Sequence, residues 1–410
     1  MRRRDLLAGA AATGLAALSR ETFAADEKTV KIGMIQPMSG SYAAYATEGQ
    51  PAFDYIVRKI NAAGGIKALG GAKIEVVLAD DASQPSRTAT EARRLVTEVG
   101  CKFLTGSMLS NQMQAVTPVV DELKIPTLSI WAGGVKSTSM FSLGFPYDRG
   151  YAQTMADFVK FLAKEKGFKI NNVATVYSNY EAGQQVNNFI KPKLTEAGFK
   201  IVGDVPLDTK AQDQTSAVLL LRSMKPDLAV GLVTPRDGIL LHQARFNLSA
   251  YDIIFAGGTG GFTDLSLWKD LGKDIGTKVL TRNLFGMTAF SPGAQLESIQ
   301  AIVKELTDAK LGVPIGQAAI QAAQAARVVQ AMLEGSGGSM ESDALLKSLA
   351  AVKIPLGDPN LYLAKAGGIA FGPDRMLSDG SAMFIQWTPE QTQQVVFPSK
   401  FAQVDPRPKS

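Results

Sequence analysis

Short apolar runs rich in β-branched residues alternate with stretches of helical spacing over most of the chain. The first run, residues 30–35, stops at the turn-forming Gln36-Pro37-Met38-Ser39-Gly40. Phe53, Ile56, Val57 and Ile60 then recur at helical spacing until Gly64-Gly65 closes that helix. Strands are predicted at 74–78, 102–105 and 127–131, and helices at 88–99 and 111–123. Strict alternation of this kind implies right-handed βαβ crossovers and a parallel sheet covered on both faces.

A break at Gly144-Phe145-Pro146 precedes a second series. Helices at 151–165, 181–197, 215–224 and 236–246 alternate with strands at 173–177, 201–205, 228–233 and 253–256. Two α/β lobes are therefore written in tandem. Helices near 295–309, 317–333 and 343–350 follow, and then a Gly-, Pro- and Asp-rich tail ending in a strand-like 381–387. That tail has too little periodicity for a third domain, so it is expected to return to the two lobes.

Ligands of open parallel sheets sit beyond the carboxyl ends of the strands. Residues 39–47, 107–112, 131–134, 178–184, 234–237 and 257–263 occupy such places, and Tyr42, Tyr45, Trp131, Tyr177 and Tyr180 fall in or beside them. Flat rings with a polar tip suit a small ligand with an apolar body. Ser110 or Asn111 can cap the helix after the third strand, where free N–H groups and the helix dipole favour an anion such as a carboxylate. A cap with no further role reads equally well from the residues alone.

Composition removes several functional classes. The chain has one histidine, His242, and one cysteine, Cys101, too few for a transition-metal centre or an internal disulfide. No Gly-x-Ser-x-Gly elbow accompanies His242, and Gly257-Gly258-Thr259-Gly260-Gly261 fits no phosphate-binding motif, so His242 is read as a helix-surface or packed residue and the glycines as a tight turn or a close approach of backbone to ligand. Asp80-Asp81 reads as a turn or helix start. No cofactor is expected. The net charge of +5 is diffuse, which argues against a nucleic-acid partner.

Residues 1–24 follow the plan of a secretory signal: Arg2-Arg3-Arg4-Asp5-Leu6-Leu7, an apolar stretch at 8–18, and small residues around an expected cleavage after Ala24. The apolar stretch is shorter than the roughly 20 residues of a spanning helix. Adjacent arginines before Asp-Leu-Leu resemble a twin-arginine signal. The expectation is a soluble periplasmic monomer with no stable membrane insertion once the signal is removed.

Lys31-Ile32-Gly33 through Pro37-Met38-Ser39-Gly40, Ile60-Asn61-Ala62-Ala63-Gly64-Gly65-Ile66, Asp80-Asp81-Ala82-Ser83-Gln84-Pro85 and Ile125-Pro126-Thr127-Leu128-Ser129 together resemble the leucine/isoleucine/valine-binding family, periplasmic receptors of ABC importers. The resemblance runs over nearly the whole chain after the signal. It implies two Rossmann-like lobes with parallel sheets, joined by three crossovers, closing as a hinge on a ligand. The expected division is 26–146 plus 285–368 for the first lobe, 147–284 plus 369–400 for the second, and 401–410 as a tail.

The resemblance also implies site residues. Ser110 matches the serine that bonds the ligand α-carboxylate, with Asn111 at the same helix start, and Tyr45 matches an aromatic wall. The family's Ala-Ala-Thr segment appears as Trp131-Ala132-Gly133, and its ammonium-pairing acidic residue falls at Thr259. Second-lobe tyrosine positions map near Ala182 and Val233, with Tyr180 displaced by two, and the cysteine pair of some members corresponds to Ser83 and Leu109. A buried ammonium without a carboxylate would be costly. The expected ligand is thus a hydrophobic amino acid or a related aromatic or branched carboxylate, handed to an importer permease without chemistry. A sensor of the same fold that signals to a partner protein, and a hydrolase, are the other readings the residues leave open.

Overall fold

The computed structural model describes residues 28–407 apart from 108, 135 and 259. The expected signal segment, residues 1–24, and Thr259 lie outside the described residues. In the first lobe, β1 (Thr29–Gln36), β2 (Lys73–Asp80), β3 (Phe103–Gly106), β4 (Thr127–Ser129) and β5 (Met140–Ser142) form one parallel sheet in the order β2-β1-β3-β4-β5. Helices α1 (Ala43–Ala62), α2 (Pro85–Thr97) and α3 (Ser110–Glu122) connect the strands. Each begins just past a strand's carboxyl end, as the alternation predicts.

A helical stretch of wide turns (Tyr147–Ala152), α4 (Gln153–Lys160) and further wide turns (Phe161–Glu165) leads into the second lobe. There β6 (Asn172–Ser178), α5 (Glu181–Glu196), β7 (Lys200–Leu207), α6 (Thr215–Ser223), β8 (Leu228–Leu232), α7 (Pro235–Asn247) and β9 (Ile254–Gly258) succeed one another. Three short helices, α8 (Gly260–Thr263), α9 (Leu267–Leu271) and α10 (Lys273–Val279), precede β10 (Leu284–Thr288). The chain then returns to the first lobe with α11 (Glu297–Asp308), α12 (Gln317–Gly335) and α13 (Ser342–Ala350), α12 lying along α1. A two-residue ribbon, β11 (Lys353–Ile354) with β12 (Ile369–Ala370), precedes β13 (Met383–Trp387) and β14 (Gln393–Phe397).

The second sheet runs β14-β13-β10-β9-β8-β6-β7, with β13 antiparallel to both its neighbours, β10 and β14, and every other pairing parallel. The tail thus adds strands to an existing sheet. Two expectations meet a different geometry. The boundary drawn at 284/285 cuts through β10, which pairs with β9 and β13, so the chain leaves the second sheet only after Thr288. Residues 381–387 yield the shorter β13, and β14 beyond it has no counterpart in the sequence reading because its polar Gln393-Gln394 start hides the strand.

Candidate functional site

The carboxyl ends of β1, β3 and β4 face those of β6, β8 and β9 across a cleft, and its wall residues follow directly from the strands. A buried polar chain fixes the first-lobe side: Gln36 at the end of β1 accepts from the Ser107 N–H at 3.0 Å and donates to Gln50 at 3.1 Å. Gln50 in turn donates to Asp54 at 2.8 Å. Asp81 receives Thr88 at 2.9 Å and Gln112 at 2.6 Å, tying α2 to α3. The Asp80-Asp81 pair is therefore turn structure, as expected: Asp80 accepts from the N–H groups of Met38 and Ala82.

Gln112 also reaches back to accept from the Leu109 N–H at 3.0 Å. Leu109, not Ser110 or Asn111, occupies the cap position, and Ser110 is the first helical residue. The correction has a physical cause: the long Gln112 amide satisfies the cap amide from inside the helix, which frees the Ser110 hydroxyl to face the cleft. Asn111 accepts from the Gln112 N–H at 2.9 Å and meets the Tyr42 hydroxyl.

Two chambers adjoin in the cleft. The first encloses about 450 Å³, part of it open to solvent, between Tyr45, Trp131, Phe145, Tyr147, Tyr151 and Tyr180, with Ser110 at its first-lobe end. Ser110 and Tyr147 share a short hydroxyl–hydroxyl hydrogen bond. Tyr151 is fully buried, and its hydroxyl donates to the Gly231 carbonyl at 3.0 Å while accepting from the Gly258 N–H at 2.7 Å, which ties the ends of β8 and β9 together. Burial pushes the Tyr147 phenol up to about 12 and raises those of Tyr151 and Tyr180 as well, so all three remain neutral. No carboxylate stands among the described residues lining this chamber.

The second chamber, about 490 Å³ with its open part, lies beyond an edge-to-face pair of Tyr45 and Trp131 whose centroids are 4.9 Å apart. Glu48, Thr263, Asp264 and Gln317 bring polar groups to its lining, with Leu265 and Pro235 apolar. Burial, then the charges of Asp264 and Asp270, push the Glu48 carboxyl up to about 7. Asp264 is raised as well, chiefly by burial, although it accepts from the Ser266 N–H at 2.9 Å. Gln317 is fixed by Thr288 at 2.6 Å, and Gln321 one turn later donates to the Ile130 carbonyl at 2.6 Å. The wall is thereby joined to the ends of β10 and β4.

Of the expected site residues, Tyr45, Ser110, Trp131 and Tyr180 come together in the first chamber. Asn111, Ala132 and Gly133 are absent from the linings of both chambers. Gly133 shapes the site from behind, because any β-carbon there would lie 1.8 Å from the Tyr147 ring. Ala132 is buried and receives Ser142 at 2.6 Å. His242 is packed, not surface-placed, with no exposure to solvent. Sequence reasoning passed over Phe145, Tyr147, Tyr151, Glu48 and Asp264. A cluster of three aromatics at the interlobe break was the available signal. Among the described residues there is no group of His, Cys, Asp or Glu suited to a metal, and no helix is long and apolar enough to cross a membrane.

Residues 29–394 match the family model described as periplasmic binding protein. The Leu/Ile/Val-binding protein homolog 8 of Brucella melitensis is 28% identical over 403 residues, covering 94% of each chain. Among solved structures, a Rhodopseudomonas palustris solute binding protein of an ABC transporter, in complex with 3,4-dihydroxybenzoic acid, aligns with a TM-score of 0.74 at 21% identity over 92% of this chain and 99% of that one. The branched-chain amino acid transporter substrate binding protein LivJ of Streptococcus pneumoniae, in complex with isoleucine, aligns with a TM-score of 0.73 at 20% identity over 90% of this chain and 100% of that one. With two facing α/β lobes, an aromatic cleft between them and a family match over most of its length, the chain belongs to the periplasmic binding protein family.

Proposed function

We propose that this chain is an exported receptor that captures a small aromatic or branched carboxylate in the interlobe cleft and delivers it to the permease of an ABC importer. One observation carries the reading: an aromatic chamber with the Ser110 hydroxyl, on the opening turn of α3, at its first-lobe end. That turn offers a carboxylate a hydroxyl donor and the positive end of a helix dipole. The surrounding rings bury the apolar body. The solved relative with 3,4-dihydroxybenzoic acid supports this class of ligand.

A specific observation favours a second reading, an amino acid. Glu48 and Asp264 stand just past the Tyr45–Trp131 pair and would receive an ammonium. A thermal-shift panel separates the two. On the first reading 3,4-dihydroxybenzoate and branched keto acids stabilise the protein, by about 2.7 kcal/mol at one hundred times Kd. Strong stabilisation by isoleucine or leucine with none by these acids would overturn it.

Export to the periplasm by the folded-protein route belongs to the same proposal, on the strength of the paired arginines near the start. Changing Arg3 and Arg4 to Lys keeps the charge and should block export. Undiminished export of that variant removes the route and leaves the receptor reading intact.

A further inference from the structure

The turn α8 and the two residues after it supply Gly260, Thr263, Asp264 and Leu265 to the second chamber. A helix of one turn leaves its carbonyls without intrahelical partners. Here three consecutive ones are each taken by a buried side-chain donor from a different element. His242 of α7 meets the Gly261 carbonyl at 2.9 Å, Trp387 of β13 donates its indole N–H to Phe262 at 2.8 Å, and Gln393 of β14 donates to Thr263 at 2.6 Å. All three donors are buried.

The His242 arrangement is fixed. Arg245 can only donate, and its Nη1 lies 3.1 Å from His242 Nδ1, so Nδ1 accepts and Nε2 carries the proton given to Gly261. The Gly261 backbone leaves no slack on the α7 side either, since a β-carbon on Gly238 would sit 2.4 Å from Gly261 Cα. Two of the three anchors lie 125 and 130 residues further along the chain, beyond its return through the first lobe.

We infer that Trp387 and Gln393 are positioning residues for the cleft: they hold the α8 turn at a set depth behind the second chamber and so determine ligand affinity without touching ligand. The inference rests on the reading of the cleft as the ligand site. Its physical basis is that releasing one of these carbonyls leaves a buried acceptor unsatisfied, and the turn relieves this only by moving.

Trp387→Phe keeps a ring beside Trp268 and removes the donor. Titration calorimetry with 3,4-dihydroxybenzoate should show about tenfold weaker binding than the unaltered protein, and amide hydrogen exchange across residues 260–265 should accelerate. Leu345→Ala in α13, which lines neither chamber, serves as the control. It should lower the melting temperature without altering affinity or exchange in that segment. Gln393→Met removes the neighbouring donor at similar volume and answers the same question if Trp387→Phe does not fold.

Unchanged affinity in the donor-less variants, or an affinity loss matched by Leu345→Ala, overturns the inference. If the unaltered protein binds no acid or amino acid, the receptor reading is what fails. Exchange across 260–265 then decides the positioning role alone: no acceleration overturns it.

Discussion

The two chambers of the cleft share the Tyr45 and Trp131 rings and little else. On one side stand neutral hydroxyls and the opening turn of α3. On the other stand Glu48 and Asp264, and the charge of Asp264 adds to burial in raising the proton affinity of Glu48. A pair of rings 4.9 Å apart thus separates the proposed anion end from a wall of carboxyl groups. On the proposed reading the contrast gives the cleft a direction: a carboxylate ligand would enter with its charge toward Ser110 and its apolar or donor-bearing end toward Glu48. Direction arises from where loops end, since Ser110 follows β3 whereas Glu48 lies on the second turn of α1.

The largest effect that would break this contrast is at the anion end. Ser110→Ala removes the hydroxyl that faces the first chamber, and affinity for 3,4-dihydroxybenzoate should fall about tenfold, near 1.4 kcal/mol. Stability should change by less than about 1 kcal/mol, because Tyr147 loses one hydroxyl partner at a cleft wall and no core packing is disturbed. Calorimetric titration beside thermal unfolding checks both. Wild-type affinity in the alanine variant would place the anion elsewhere and dissolve the asymmetry.

Much of this arrangement was legible in the sequence because its causes are local. Short apolar runs and the 3.6-residue periodicity predict nine of the strands and ten of the helices in their observed order, and loops at strand ends bring Tyr45, Ser110, Trp131 and Tyr180 together. What escaped has causes that are short or distant. Strand β5 has three residues and α8 four, too few for a period to register. Phe145, Tyr147 and Tyr151 sit on the crossing between lobes, where turn residues dilute the pattern. Glu48 lies in the half of α1 that is rich in small residues, ahead of the apolar repeat from Phe53 to Ile60. The cap at Leu109 depends on a side chain three residues later, and the anchors of α8 depend on strands more than a hundred residues away. No local rule reports such partners.

The smallest predicted effect sharpens the other side of the contrast. Glu48 is half-buried, and its carboxyl is raised from 4.5 to about 7, first by burial and then by Asp264 and Asp270. Below pH 4.5 it is protonated in both folded and unfolded chains and contributes nothing. Between 4.5 and 7 the unfolded chain gives up the proton while the folded one keeps it, so stability declines as pH rises, and the decline is complete above 7. Screening by solvent reduces the effect to the order of 1 kcal/mol. Glu48→Gln should therefore raise the melting temperature at pH 8 and leave it nearly unchanged at pH 4, in parallel unfolding scans of variant and unaltered protein. Equal shifts at both pH values would mean that charge at Glu48 is not what distinguishes the second chamber. The same variant should bind 3,4-dihydroxybenzoate at least as well as before, because the chamber facing the ligand's uncharged end has lost a negative charge; weaker binding of isoleucine in its place would identify Glu48 as the partner of an ammonium.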